Sequence, residues 1–417
     1  MKTRITYPIA LVLGFVSSLL LRNWAPYRVV ITTLSPIVKS LGVFILFPLV
    51  FVLALSAIAS LRRHKDTFLV FASTILWALL SALILSFAGM GIFLIKPFGI
   101  TLTTVGGGTL SPSFFNFANL GRYFISDNAF HQFTLSSATL LPILVVAFFI
   151  GIALRPDKEA IRPAYVVVNS FGEVMIRLAR IMTVWGALFL LVISAEWFMN
   201  YTIADFLQIN DFWLLIGLAI AVVATLVVLL PLLYGILTGF RGGNPYRIIN
   251  GVFPAIFATG FSGSVLYGTT PLIALTQQNL GSRKRALGIS VPLLTIISRA
   301  GSALIATLVS IGFITTLQGA VPSLQVMMTV ALFSALFSLG ASFSPGAELL
   351  FIFFMLFRAI SAPALSVIEG QLLLLLPLLQ ILGLSLDAVV IAFGAAFSSR
   401  LTARDDAIGV IPPAQKM

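Results

Sequence analysis

Polar positions along this chain fall into narrow bands separated by long apolar runs. Uncharged stretches cover Ile5–Leu21, Ser40–Leu61, Thr67–Ile95, Gln132–Leu154, Ile181–Ala195, Phe212–Phe240, Ile248–Ser282, Ala286–Ser298 and on past Arg299, and Gln371–Leu386. Several reach or exceed the roughly 20 residues that a helix needs to cross a bilayer. Serine and threonine are scattered through them, as helix contacts in lipid allow. The short alternating segments of a closed barrel are absent. The pattern predicts an all-α membrane protein of many spans.

Two of the runs are interrupted. Ile248–Ser282 contains "ATGFSGSVLYGTTP", and residues 338–348 read "SLGASFSPGAE" between apolar flanks Val326–Phe337 and Leu349–Phe357. Each flank is too short to span alone. The first run has basic residues at both ends, so it starts and finishes on one side. It is expected to enter, turn over Gly263–Thr270 and return as a re-entrant hairpin, with a second hairpin opened from the outside. Ordinary kinked helices are the alternative. Glycine- and proline-broken segments in one half of a membrane protein point to a transporter's central site, because non-helical backbone at that depth must be buried or line a wet cavity.

Composition agrees: 59% of the 417 residues are hydrophobic and 9% charged, which excludes an ordinary soluble domain. With no cysteine, disulfide and thiol chemistry are excluded. A net charge of +12 invites a nucleic-acid reading, but the basic residues lie between the apolar runs. Lys2 and Arg4; Arg62, Arg63 and Lys65; Arg155, Lys158 and Arg162; Arg241 and Arg247; Arg283–Arg285; and Arg400 and Arg404 mark one side. By the positive-inside rule both termini are cytoplasmic, and no nucleic-acid partner is expected. "MKTR" before an apolar run resembles a signal peptide, but no small-x-small site follows, so an uncleaved first helix is expected.

One residue stands against the pattern. From Ala286 to Ala347 the only ionisable side chain is Arg299, in "ISRAG". A charge at membrane depth costs energy and marks a functional or paired site. Its sequence-level partners are Glu348 or a bound anion, and the alternative is a structural ion pair that never meets solute. Glu348 could equally serve as a compensating charge at a helix start, or carry a proton. His64 and His131 lack metal-ligand spacing, "GGG" at 106–108 lacks the context of a phosphate loop, and Asp405 and Asp406 read as a solvated cluster. Nothing recommends a membrane enzyme.

The order of these features resembles the dicarboxylate/amino acid:cation symporter family, with its glutamate-transporter fold. "SLGVFILFPLVFVLALSAIASL" is similar to the family's second helix, "NPYRIINGVFPAIFATGFSGSVLYGTTPLIALTQQNLGSRKRALGISVPLLTIISRAGSAL" to its first hairpin and seventh helix, "LFSLGASFSPGAELL" to its second hairpin tip, and "LDAVVIAFGAAFSSRLTARDDAIGV" to its eighth helix. The resemblance implies about eight transmembrane helices plus two re-entrant hairpins, a homotrimer in the plasma (bacterial inner) membrane, and an elevator mechanism. It implies scaffold helices one and two in residues 1–66, transport-domain helix three in 67–100, an external loop and scaffold helices four and five in 101–200, and the rest of the transport domain in 201–417. It also implies a solute site drawn from Ser262, Gly263, Ser264, Tyr267, Gly268 and Thr269; from Ser298 and Arg299; from Gly340, Ser342, Ser344 and Gly346; and from Asp387, Ser398 and Thr402.

The departures matter as much. Where the family's seventh helix carries Asn-Met-Asp-Gly-Thr, this chain has Ser298, Arg299, Ala300, Gly301 and Ser302; the last three form the former ion site, and the aspartate is gone. On the eighth helix the residue that grips an amino group aligns with Ile391, the arginine for an acidic side chain with Gly394, the asparagine for the substrate carboxylate with Ser398 and the last sodium aspartate with Thr402. Only Asp387 is retained. A partly dehydrated cation ordinarily wants carboxylate compensation; here a guanidinium, which keeps its proton in proteins, stands beside the vacancy. The expectation is a secondary transporter of a small organic anion, carboxylate or amino-acid-like solute, with no cofactor and without the usual sodium sites. The alternatives are a conventional symporter coupled to Na⁺ or H⁺, a channel-like anion conductance, or a receptor that binds without flux. Arg400 reads as a topology anchor or a residue at the cytoplasmic mouth.

Overall fold

The computed structural model describes residues 2–63, 67–100, 140–154, 158–200, 212–241, 243–280, 284–343, 346–360 and 365–401. Every element among them is helical. In chain order these are α1 (Lys2–Leu21), α2 (Ala25–Phe44), α3 (Leu46–Arg63), α4 (Thr67–Ile95), α5 (Leu141–Ala153), α6 (Arg162–Asn200), α7 (Phe212–Ala224), α8 (Leu230–Leu237), α9 (Tyr246–Ser262), α10 (Val265–Leu280), α11 (Lys284–Ile297), α12 (Ala300–Gln318), α13 (Leu324–Ser338), α14 (Glu348–Ala359) and α15 (Leu365–Leu401). A π-helical turn, Thr225–Leu229, joins α7 to α8, and a 3₁₀ turn, Ala341–Phe343, precedes α14.

Among the described residues, six helical stretches are long and apolar enough to cross a membrane: Ala25–Leu61, Thr67–Ile95, Arg162–Asn200, Leu214–Leu237, Ala286–Gln318 and Leu375–Leu401. Shorter apolar helices accompany them at Ile5–Leu21, Leu141–Ala153 and Leu324–Ser338. The protein is an integral membrane protein. The apolar run from Ser40 to Leu61 is not one helix from its own start, since α2 begins at Ala25 and the backbone breaks at Ile45.

Helix α12 is the centre of the bundle. Every residue from Ala300 to Ile314 is buried, as expected of a helix that is apolar all round. It is packed by α4, α13, α14 and α15. In a second group α1, α2 and α3 pack on α6 and α5 packs on α3, and α10 touches both groups. Lipid is as apolar as leucine, so close approach and hydrogen bonds must hold these helices together. Trp77 Nε1 on α4 donates to Val390 O on α15 at 3.0 Å. Hydroxyls within the spans, such as Thr74, Thr259 and Thr307, donate back to the carbonyl four residues earlier, which satisfies them without a partner helix.

The first interruption folds more tightly than the sequence suggests. The turn is Gly263 and Ser264 alone, and Val265 already begins α10. Tyr267, Gly268 and Thr269 are therefore helical residues, not turn residues. The reason is local: Gly263 takes φ +70°, a left-handed conformation that glycine adopts freely, and it reverses the chain at once. α9 and α10 then pack along each other, with Gly268 laid directly on Thr259.

Candidate functional site

Helix α11 stops at Ile297 and α12 resumes at Ala300 on nearly the same line of sequence, leaving Ser298 and Arg299 non-helical inside the bundle. Both are buried. The break leaves carbonyls at the end of α11 and N–H groups at the start of α12 without their helical partners. Each set is met from elsewhere in the chain.

Asp387 of α15 meets the N–H groups. Its Oδ1 accepts from Gly301 N at 2.7 Å and from Ser302 N at 3.2 Å, and its Oδ2 accepts from Ser302 Oγ at 2.6 Å. This is a helix cap supplied by another helix, and a carboxylate suits the positive end of the helix dipole. The approach requires Gly301, since a Cβ there would fall 2.6 Å from Leu386 Cβ and 2.7 Å from Gly383 O.

Arg299 and Ser342 meet the carbonyls. Arg299 Nη1 donates to Ser298 O at 2.9 Å. Ser342, in the 3₁₀ turn of the second interruption, donates to Ile296 O and lies 3.4 Å from Thr295 O. The other arm of the guanidinium, Nη2, stands 3.9 Å from Glu348 Oε1, both side chains being 1% exposed. Thr269 on α10 approaches the end of α11 from the first interruption, its Oγ1 3.3 Å from Thr295 Oγ1. Among the described residues, four atoms here have no well-formed hydrogen-bond partner: Ser298 Oγ, Arg299 Nε and both oxygens of Glu348.

The remaining sequence-predicted residues scatter. Ser262 Oγ donates to Thr259 O and Ser264 O and so closes the first turn. Tyr267 lies over Gly42 of α2, beside Tyr7 and Thr183 in a small cavity of about 20 Å³, at the contact with α1, α2 and α6. Gly340 follows α13, and Gly346 takes φ +78°. Ser398 is buried and donates to Ala395 O one turn back. Ala300 is buried beside the break. Ser344 and Thr402 lie outside the described residues. Arg400 Nη1 donates to Arg241 O at 2.9 Å, and its guanidinium sits 5.7 Å from the Tyr234 ring.

Two residues that sequence reasoning missed shape the site. Gln380 of α15 donates from Nε2 to Gly346 O at 3.1 Å, and its Oε1 lies 3.8 Å from where a Cβ on Gly263 would be. The tips of both interruptions therefore converge on one amide. Its signal was available: Gln380 is a polar side chain inside "LLLLLPLLQILGL". The other is Trp77, whose indole fills the space over Gly394 and leaves no room there for a Cβ. It packs on Phe397 at 5.8 Å and stacks on Phe393 at 6.5 Å. No sequence pattern links residues so far apart.

Comparison with known families supplies the frame. The model of the sodium:dicarboxylate symporter family matches residues 5–396. The chain belongs to that family. A search of curated proteins found no match. The family is one of membrane transporters acting on small solutes. No group of three or more His, Asp or Glu residues that could hold a metal ion occurs among the described residues. A cavity of about 730 Å³ between α3, α4, α5 and α11 is lined by Phe68, Phe71, Phe148 and other uncharged residues. It offers no charge to a solute and lies away from Arg299.

Proposed function

We propose that this symporter-family protein is a secondary carrier for a small organic anion that operates without sodium, with the Arg299 guanidinium in the place of a bound cation. One observation carries the reading: Arg299 bonds the buried carbonyl of Ser298, left without a helical partner at the break, while facing Glu348. A loose cation would make that same pair of contacts, to a carbonyl and a carboxylate. The contact links the α11–α12 break to the second hairpin.

The solute follows from what flanks the site. With Ile391 buried no carboxylate is present at that position to grip an amino group. With Trp77 seated over Gly394, a second, distal carboxylate finds an indole where a cation would be needed. A small carboxylate, held by hairpin N–H groups and by Arg299, suits this environment better than an acidic amino acid. In this reading the two helix–turn–helix units are re-entrant hairpins, the protein is a homotrimer with cytoplasmic termini, and solute crosses as the transport domain slides against the scaffold.

Uptake and counterflow of small mono- and dicarboxylates into proteoliposomes, with sodium or choline as the cation, test the proposal. Equal rates in both salts with saturable counterflow are expected. A steep requirement for a sodium gradient overturns it, and current linear in driving force without counterflow replaces the carrier with a channel.

A further inference from the structure

The break holds one more acid than its bases balance. Arg299, Glu348 and Asp387 are each no more than 1% exposed, and Asp387 lies within electrostatic reach of both other groups. If all three ionise, the buried cluster carries one net negative charge. No described side chain on the elements packed against α14 supplies the missing positive charge. α12, α13 and the 3₁₀ turn carry no ionisable residue. On α14 itself Arg358 is exposed at the opposite end. On α15, Arg400 is engaged with Arg241 O and Tyr234.

The two acids are held differently. Asp387 receives three hydrogen bonds at a helix N-terminus, which favours its charged form. Among the described residues neither oxygen of Glu348 has a well-formed hydrogen-bond partner. Arg299 Nη2 stands off at 3.9 Å, and the backbone N–H groups of Gly346 and Glu348 give the carboxylate only weak support. A buried charge with so little support neutralises instead.

We propose that Glu348 is a proton-binding site: one proton, taken from water on one side of the bilayer, resides on its carboxyl, neutralises the cluster and leaves on the other side with the solute. The proton has two effects. It removes the surplus charge, and it frees Arg299 Nη2 for an arriving anion, which would otherwise compete with an ionised Glu348. Residence of the proton stands on the charge count and on the unequal support of the two acids, while its transport rests on the carrier reading above.

Infrared spectroscopy of the full-length protein in liposomes at pH 7 tests residence without any solute. The carbonyl stretch of a protonated carboxylic acid is expected in the wild type, absent in Glu348→Gln and retained in Asp387→Asn. Arg299→Met, which removes the only positive charge of the cluster, should strengthen it. A wild type without the band, or a band that survives Glu348→Gln, overturns the proposal. Transport is read with succinate, lactate and aspartate as probes. An imposed pH gradient should raise the accumulation of whichever probe moves, and Glu348→Gln should abolish that dependence; an unchanged dependence overturns coupling. If the band behaves as expected and none of the three probes moves, the carrier reading and the coupling fail while the bound proton stands.

Discussion

Ser302 gives its hydroxyl to Asp387 at 2.6 Å, tying the start of α12 to the middle of α15 across 85 residues of sequence. Both groups are buried, so water cannot replace either partner. The bond fixes where the helix resumes and therefore where Arg299, one residue before α12, is held.

Removing that cap should unsettle the whole break. Ser302→Ala loses one charge-assisted bond and is expected to cost about 1.5–3 kcal/mol. Asp387→Ala also strands two buried N–H groups and should cost about 3–5 kcal/mol. Thermal unfolding in detergent should rank wild type above Ser302→Ala above Asp387→Ala. Equal melting temperatures for wild type and Asp387→Ala would refute the capping role.

Trp77 and Gly394 should behave as a single unit. Gly394→Arg drives a side chain into the indole and should destabilise by about 3 kcal/mol or more. Pairing it with Trp77→Ala reopens space and should recover much of that loss, because residues in contact are not additive. A double-mutant cycle by thermal unfolding measures the coupling; additive losses would show that the two do not compete for the same volume.

Gln380 should govern how firmly the second tip is seated. The chain has no cysteine of its own, so Ala347→Cys provides a single reporter beside Gly346. Adding Gln380→Ala removes the donor to Gly346 O and should speed thiol labelling at that cysteine severalfold. An unchanged labelling rate would mean the tip is held by Ser342 and Glu348 alone.

The first turn depends on one left-handed residue. Gly263→Ala should cost about 1–2 kcal/mol through the Cβ penalty at φ +70°, whereas Ser264→Ala should be nearly neutral. Thermal unfolding separates the two, and equal losses would shift the cause from backbone conformation to contacts.

Membrane orientation has an equally direct test. Cysteines at Lys158 and Val321, introduced one at a time, should react with an impermeant maleimide from opposite sides of the bilayer, Lys158 from the cytoplasm. Labelling of both from one side would reverse the proposed arrangement of the hairpins.

Much of this was written in the order of residues. Hydropathy alone separates spans from loops because crossing a bilayer is a property of each segment and its length; α4 begins and ends where its apolar run does, at Thr67 and Ile95. The two glycine-rich interruptions and the isolated charge of Arg299 are equally local, as was membership of the family, which depends on collinear segments. The sequence overestimated the length of the first turn, because it counted Tyr267, Gly268 and Thr269 as breakers where Gly263 sufficed.

What surrounds Arg299 was settled by the tertiary structure. Asp387 is 86 residues from the N–H of Gly301 that it accepts, Trp77 reaches across 313 residues to Val390, and Gln380 meets two tips from separate parts of the chain. In lipid, helices gain little from hiding apolar faces, so small close contacts and a few hydrogen bonds decide which surfaces meet. Those contacts are sums over many distant side chains, and no single stretch of sequence carries them.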